Sequence, residues 1–312
     1  MPADQCIQYM CRIFAENTPD SVNMEEQMDF IWHDGNAAGM NVHQDGDVVW
    51  LSFPGMDKED WCLNVFSTRM GGISTGHLAS MNLSFGREGP GNEETVRENF
   101  RRLGAAAGFA AEDVILSDQT HTTNVRRVGR KDRGSGFLRS LEWTDVDGFI
   151  TDEPGCVLST FYADCVPLYF ADPRHRAIGL SHSGWKGTAH KMGAHTVRAM
   201  EEAYGTRPED LLCGIGPSIC QDSYEVGEDV ARFFRKEFLI EKGNGKFLLD
   251  LWAANKAVLT EAGVREENIE MSNLCTACNA DLLFSHRASK GRRGNLGAFL
   301  MIREMPSQYM SG

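Results

Sequence analysis

A mixed α/β fold, a single domain of packed β-sheets flanked by helices, is the architecture this sequence predicts. Three observations lead there. Short apolar runs such as "DVIL", "CVLSTFY" and "RAIGLSHS" read as strands buried in a sheet. Segments with apolar residues at helical spacing lie between them, most clearly "NEETVRENFRRLGAAAGF". The two kinds of element alternate without the regular rhythm of a doubly wound sheet, which favours mixed, packed sheets.

Each element has its own justification. Asn92 stands where an N-cap belongs, Glu93 and Glu94 suit the positive end of a helix, and Val96, Phe100, Leu103 and Ala107 recur on one face. "AEDVILSDQTHTTNVRRV" predicts a strand, a polar turn and a second strand. Helices are expected over "GTAHKMGAHTVRAMEEAYG", "VGEDVARFFRKEFL" and "LDLWAANKAVLTEAGV"; in the last, Leu251, Val258 and Leu259 share a face and Gly263 ends it. Residues 1–45 read as a polar, Met-rich extension in which "HDGNAAGMNVHQDGD" is a loop, and 46–312 as the domain. No period of a repeat protein is visible.

A formal net charge of −13 argues against a protein that coats nucleic acid, because phosphate binding needs positive surface to displace counterions. The basic cluster Arg126, Arg127, Arg130, Lys131 and Arg133 reads as a solvated loop; a second cluster, Lys290, Arg292 and Arg293, could hold a small anion. Residues 1–30 hold no apolar stretch of the length a secretory signal requires and no 18-residue apolar run appears, so a cytoplasmic protein with no membrane partner is expected. Nine scattered cysteines, an odd number, fit reduced thiols. "MGGISTG" lacks both the dinucleotide-binding spacing and the P-loop ending.

In "FYADCVPLYFAD" the polar pair Asp164 and Cys165 interrupts an apolar run, which costs desolvation unless a partner compensates it or the pair ends a strand. Two other stretches also run from an apolar strand into a polar turn with a metal-ligand side chain: "SDQTHTT" with His121 and "LSHSGWKGT" with His182. Two imidazoles and a thiolate suit zinc, whose catalytic sites commonly take three protein ligands and keep one position open. Taken singly, His121 reads as a turn histidine, Cys165 as a small buried hydrophobe and Asp164 as a cap. "CTAC", Cys275 and Cys278, is a lone C-x-x-C, more readily structural or incidental than a metal or redox motif. His190 and His195 are five apart on an expected helix, not the spacing of a helical metal pair.

Seven ordered blocks then carry a resemblance: "FSTRMGGISTGHLASMNL", "DQTHTTNV", "YADCVPLYFAD", "SHSGWKGT", "GIGPSICQDSYEVGEDV", "LDLWAANKAVLTEAGV" and "CTACNADLLFSHRASKGRRGNLGAF". Together they resemble the polyphenol oxidase (laccase-domain) family, regarded as zinc-dependent purine nucleoside phosphorylases. The resemblance implies a CNF1/YfiH-like α/β domain with zinc held by His121, Cys165 and His182. It also implies phosphorolysis of adenosine, inosine, guanosine and methylthioadenosine, with adenosine deaminase activity, so that purine nucleosides and phosphate are the expected partners. Two departures concern the anion. Lys186 replaces the family's arginine, exchanging a planar fork for a point charge, and Asn295 stands where an arginine is common, leaving Arg292 or Arg293 to fill that corner.

For phosphorolysis, Arg69 and Lys186 are the expected phosphate holders, since a loose transition state is stabilised by positioning and charge. For deamination, zinc would bring a water toward neutral pKa, with Asp164 shuttling the proton or orienting a ligand histidine. Asn82 and Tyr224 are candidate sugar or base contacts, and Trp185 a pocket wall. Three alternatives stand beside this. A His/His/Cys set also suits copper, although nine histidines with no H-x-H pair cannot readily build a trinuclear cluster. Cys165 could be the nucleophile of a metal-free thiol hydrolase with His182 or His121 as base. A non-enzymatic binding module would leave nucleosides unchanged.

Overall fold

Strands that are apolar on both faces need cover on both faces, and here they find it by stacking two sheets and flanking them with helices. The computed structural model describes residues 29–33 and 39–304. Strands β1 (Asn41–Asp45), β2 (Val48–Ser52) and β3 (Cys62–Ser67) come first, then helix α1 (Glu93–Ala107) and β4 (Val114–Leu116). Next are β5 (Val125–Arg127), β6 (Gly148–Thr151), β7 (Val157–Tyr162), β8 (Val166–Asp172) and β9 (Ala177–Ser183). Helices α2 (Trp185–Ala189) and α3 (Met192–Tyr204) precede β10 (Leu212–Ile215), β11 (Glu225–Gly227), β12 (Leu239–Gly243) and β13 (Lys246–Leu249). Helix α4 (Leu251–Glu261), β14 (Ile269–Met271) and β15 (Leu296–Ile302) complete the order.

The first sheet runs β1-β2-β3-β15-β7-β4 and the second β14-β10-β8-β9-β6-β5; β11-β13-β12 form a small third sheet. Both large sheets are mixed, antiparallel except for β4–β7 in one and β10–β14 and β5–β6 in the other. Period-two alternation divides each strand between layers. On β9, Ile178 and Leu180 enter the layer between the sheets, with Leu158 and Tyr162 of β7 and Ala298 and Leu300 of β15. On β8, Val166, Leu168 and Phe170 face the other way, onto Val197 and Met200 of α3 and Leu251 and Leu259 of α4. Val96, Phe100 and Leu103 of α1 cover the outer face of the first sheet over Val65, Val157 and Phe299.

Three expectations are corrected. The helix expected from Gly187 to Gly205 is two helices, because Lys191 takes a left-handed φ of 61° between α2 and α3. The helix expected over 226–239 shrinks to one turn, Glu228–Ala231: Phe233 packs on Trp185 at 6.0 Å while Phe238 turns into the core, two directions that one helical face cannot serve. The expected loop before residue 46 contains strand β1, hairpin-paired with β2 through a two-residue turn at Gly46, φ 57°, and Asp47. Phe30 and Met40 are buried in the layer between the sheets, so described residues ahead of the 45/46 boundary pack onto the body. Most of residues 1–45 lie outside the described residues.

Candidate metal centre and its cavity

The chain passes from the first sheet to the second twice in this region, and each crossing carries a ligand-type side chain. His121 lies between β4 and β5, and Cys165 in the turn between β7 and β8. The third, His182, continues the Ile178–Leu180 face of β9, which points between the sheets. The polar interruption at Asp164–Cys165 is therefore a strand-end turn, with Asp164 at a positive φ of 90°. Ligand atoms of His121, Cys165 and His182 all lie within 4.8 Å of one another. The imidazole rings meet edge to face at 5.0 Å, and Tyr162 borders His182 at 5.5 Å.

Asp147, immediately before β6 and fully buried, organises the group. Its Oδ1 lies 2.8 Å from His182 Nδ1 and accepts the His121 amide at 3.1 Å; its Oδ2 accepts the Thr122 amide at 2.7 Å and hydroxyl at 2.8 Å. Burial opposes its charge, but hydrogen bonds from His182 and the Thr122 backbone hold the carboxyl below its usual range. With Nδ1 committed to Asp147, His182 offers Nε2 to a ligand. Burial alone would raise the Cys165 thiol; the His182 charge and hydrogen bonds from His121 and His182 outweigh it and bring the thiol down to about 6. Burial likewise opposes protonation of His182, yet the Cys165 thiolate and Asp147 raise it to about 9.

The donor set therefore fits a borderline divalent cation: a thiolate already favoured by its surroundings, one imidazole with its tautomer set, and a second on a partly open loop. Gly184, which opens α2, makes room for them. A Cβ built there would stand 2.9 Å from Cys165 Sγ and 3.2 Å from His121 Cδ2. The three donors open onto a cavity of about 290 Å³, also lined by Gln119, Phe161, Arg293 and Asn295. Gln119 is locked to the Phe161 backbone, donating to its carbonyl at 2.8 Å and accepting from its amide at 2.6 Å.

The other expected site residues are placed as follows. Asp164 does not orient a ligand histidine: its carboxylate accepts from Thr276 Oγ1 and the Arg287 amide, both at 2.7 Å, and the orienting carboxylate is Asp147. Arg69 donates to the carbonyls of Ala79 at 2.8 Å and Ala280 at 2.6 Å and lies over Phe284, so its fork is committed to the backbone. Asn82 is fully buried, its amide donating to Ser84 and Glu88 and accepting from Ser84 and Asn295, which exhausts its capacity for a sugar contact. Tyr224 is half-buried under Arg287 at 5.3 Å. Lys186 is exposed in the first turn of α2, 5.7 Å from the Trp185 ring, and Trp185 packs on Phe233. Neither Tyr224, Lys186 nor Trp185 lines the cavity.

Of the two closing arginines, Arg292 is exposed and Arg293 lines the cavity. Arg293 Nε and Asn295 Oδ1 are buried without a protein partner. Burial, helped by Arg87, lowers the Arg293 guanidinium to about 10, still charged at neutral pH. Asp147 escaped the sequence reading because an acidic residue before a strand is an ordinary turn residue; "TDVDGF" carries no distinguishing spacing. His190 and His195 are both exposed and apart from the centre.

Fold and site define a class: a mixed α/β protein with a candidate mononuclear metal centre of two histidines and one cysteine, set where the chain crosses between two stacked sheets. The chain belongs to the family described as multi-copper polyphenol oxidoreductase laccase, whose model matches residues 63–303. It is 39% identical over 249 residues to a protein of Deinococcus radiodurans named purine nucleoside phosphorylase, covering 78% of this chain and 91% of that one. A Geobacillus stearothermophilus protein named purine nucleoside phosphorylase YlmD is 35% identical over 249 residues, 76% of this chain and 89% of its own. The crystal structure of YlmD from Geobacillus stearothermophilus superposes with a TM-score of 0.79 at 32% identity, covering 86% of this chain and all of that one. Among the described residues no helix is long and apolar enough to cross a membrane.

Proposed function

We propose that the protein is a zinc-dependent purine nucleoside phosphorylase with a companion adenosine deaminase activity. Its substrates in this reading are phosphate and adenosine, inosine, guanosine or methylthioadenosine. The observation that carries the reading is that one cavity holds both halves of the required chemistry: the His121–Cys165–His182 donors and the charged Arg293, whose buried Nε has no protein partner. The names of the relatives agree with it. The cavity volume is near the low end of small-molecule sites, ~300–1,000 Å³, and its Phe161 and Tyr162 walls suit a flat base.

In this reading Arg293 holds phosphate against the anomeric carbon, the C–N bond breaks with its electron pair leaving on the base, a C–O bond to phosphate forms, and the proton that phosphate gives up ends on the base nitrogen, giving free base and the sugar 1-phosphate (ribose 1-phosphate from adenosine, inosine or guanosine). Asp147 keeps His182 in one tautomer and fixes the backbone of His121. Asn295 Oδ1 is available to accept from a sugar hydroxyl or a base amino group. Bound zinc supplies a Lewis acid and, for deamination, an activated water. Copper is disfavoured as an oxidase cofactor because, among the described residues, no further histidine joins the centre to build a cluster.

A second reading rests on the hydrogen-bonded order Cys165–His182–Asp147, which is also that of a thiol nucleophile, its base and an orienting acid. One experiment separates them. The purified protein is incubated with adenosine and with inosine, with and without phosphate, before and after metal removal. Ribose 1-phosphate formed only with phosphate and metal supports phosphorolysis, and inosine formed from adenosine without phosphate reports deamination. Activity that survives metal removal but not alkylation supports the thiol reading, and unchanged nucleosides in every arm would sink both.

A further inference from the structure

Cys220, Cys275 and Cys278 converge on a second point outside the cavity. Two are buried and one half-buried, and their sulfur atoms all lie within 4.8 Å of one another, with Cys220 Sγ and Cys278 Sγ 4.0 Å apart. Ser223 Oγ closes the figure, at 3.4 Å from Cys220 Sγ, 3.7 Å from Cys278 Sγ and 4.0 Å from Cys275 Sγ. Four donors at about 2.3 Å around one tetrahedral ion stand ~3.8 Å from each other; the Cys220–Cys278 separation of 4.0 Å and the three Ser223 separations of 3.4–4.0 Å lie close to that. The amides of Cys220 and Cys278 donate to Cys275 Sγ at 3.3 and 3.4 Å, the stabilisation a thiolate ligand requires. The C-x-x-C of "CTAC" looked incidental because its third sulfur is 55 residues upstream.

We propose that these three cysteines, with Ser223 or a water in the fourth position, form a structural site for a thiophilic divalent cation such as zinc. The site has a visible task. Ile219, beside Cys220, donates its amide to the Asp164 carbonyl at 3.0 Å. Thr276, beside Cys275, donates its hydroxyl to the Asp164 carboxylate at 2.7 Å. Arg287, whose amide holds the other carboxylate oxygen at 2.7 Å, also donates to the Ser223 carbonyl at 3.4 Å. A cation joining 220–223 to 275–278 thus braces, from behind, the turn that presents Cys165.

The test uses the full chain, reduced, stripped of metal and titrated with cobalt(II) alone. The wild-type chain is expected to bind two equivalents. The His121→Ala/Cys165→Ala chain should keep one equivalent with strong thiolate-to-cobalt charge-transfer absorption, and the Cys278→Ala chain should lose that absorption while keeping the other equivalent. Ser223→Cys should bind the second equivalent more tightly, shifting chelator competition to higher chelator. A second readout is independent of absorption: zinc should raise the melting temperature of the His121→Ala/Cys165→Ala chain, but not when Cys278→Ala is added. A reduced His121→Ala/Cys165→Ala chain that binds no equivalent, or a Cys278→Ala chain that keeps two, overturns the proposal. So does a Cys220–Cys278 disulfide whose reduction yields no second equivalent.

Discussion

His182 Nδ1 lies 2.8 Å from Asp147 Oδ1, and the same carboxylate carries the amides of His121 and Thr122, so one buried side chain governs two of the three donors at the candidate metal centre. Asp147→Asn keeps the shape but loses the charge that polarises His182. Metal affinity at this centre, measured by chelator competition, is expected to fall ~10–100-fold, with the centre still filled at saturation. Affinity equal to wild type would show that Asp147 only packs.

Gly184 has an ordinary φ of −70°, so an alanine there meets no backbone strain and tests space alone. Its Cβ would press on Cys165 Sγ at 2.9 Å and His121 Cδ2 at 3.2 Å. Gly184→Ala should therefore weaken metal binding by at least about tenfold, in the range of lost supporting contacts, while the far-ultraviolet circular dichroism stays that of wild type. Retained affinity would mean that α2 shifts freely.

The thiolate is the reactive form of cysteine, and Cys165 is drawn from 9.0 to about 6. As pH falls, its proton returns only near 6, so in metal-stripped protein its alkylation rate should rise through about pH 6 and level off well before 9. Peptide mass spectrometry after iodoacetamide treatment follows this residue alone. Cys62, raised to about 12, and Cys156, raised to about 11, both by burial, provide slow internal controls. His182→Ala should move the Cys165 inflection upward, and bound metal should protect the thiol.

Three arginines separate anion binding from scaffolding. If Arg293 holds phosphate, Arg293→Ala removes charged hydrogen bonds of ~1.5–3 kcal/mol, which is about a 10- to 100-fold rise in the KM for phosphate. Arg292→Ala, on the exposed side, should leave that KM unchanged. Arg69→Ala should act on stability, since it unpairs the Ala79 and Ala280 carbonyls at ~1–3 kcal/mol each and lowers the denaturation midpoint. A phosphate effect at Arg69 without loss of stability would restore the role first expected of it.

Legibility in the sequence tracked how local the signal was. Helix α1 and the strands β4, β7 and β9 were readable because burial on one or both faces leaves a regular apolar pattern. His121, Cys165 and His182 stood out because each breaks such a pattern at or beside a strand end. Phosphate contacts were harder. Arg69, Arg292 and Arg293 have the same chemistry along the chain, and only packing commits one to backbone carbonyls, one to solvent and one to a cavity.

By itself the sequence determined the layered α/β pattern, the nature of the three candidate metal donors and the family they resemble, because residue type and periodicity are properties of the chain. Only the tertiary structure decided which carboxylate serves the centre, which arginine faces the cavity, and that Cys220 joins Cys275 and Cys278. Those are contacts between segments 26 to 58 residues apart or more, and such proximity arises when two sheets stack and their crossings close on each other, which no local pattern encodes.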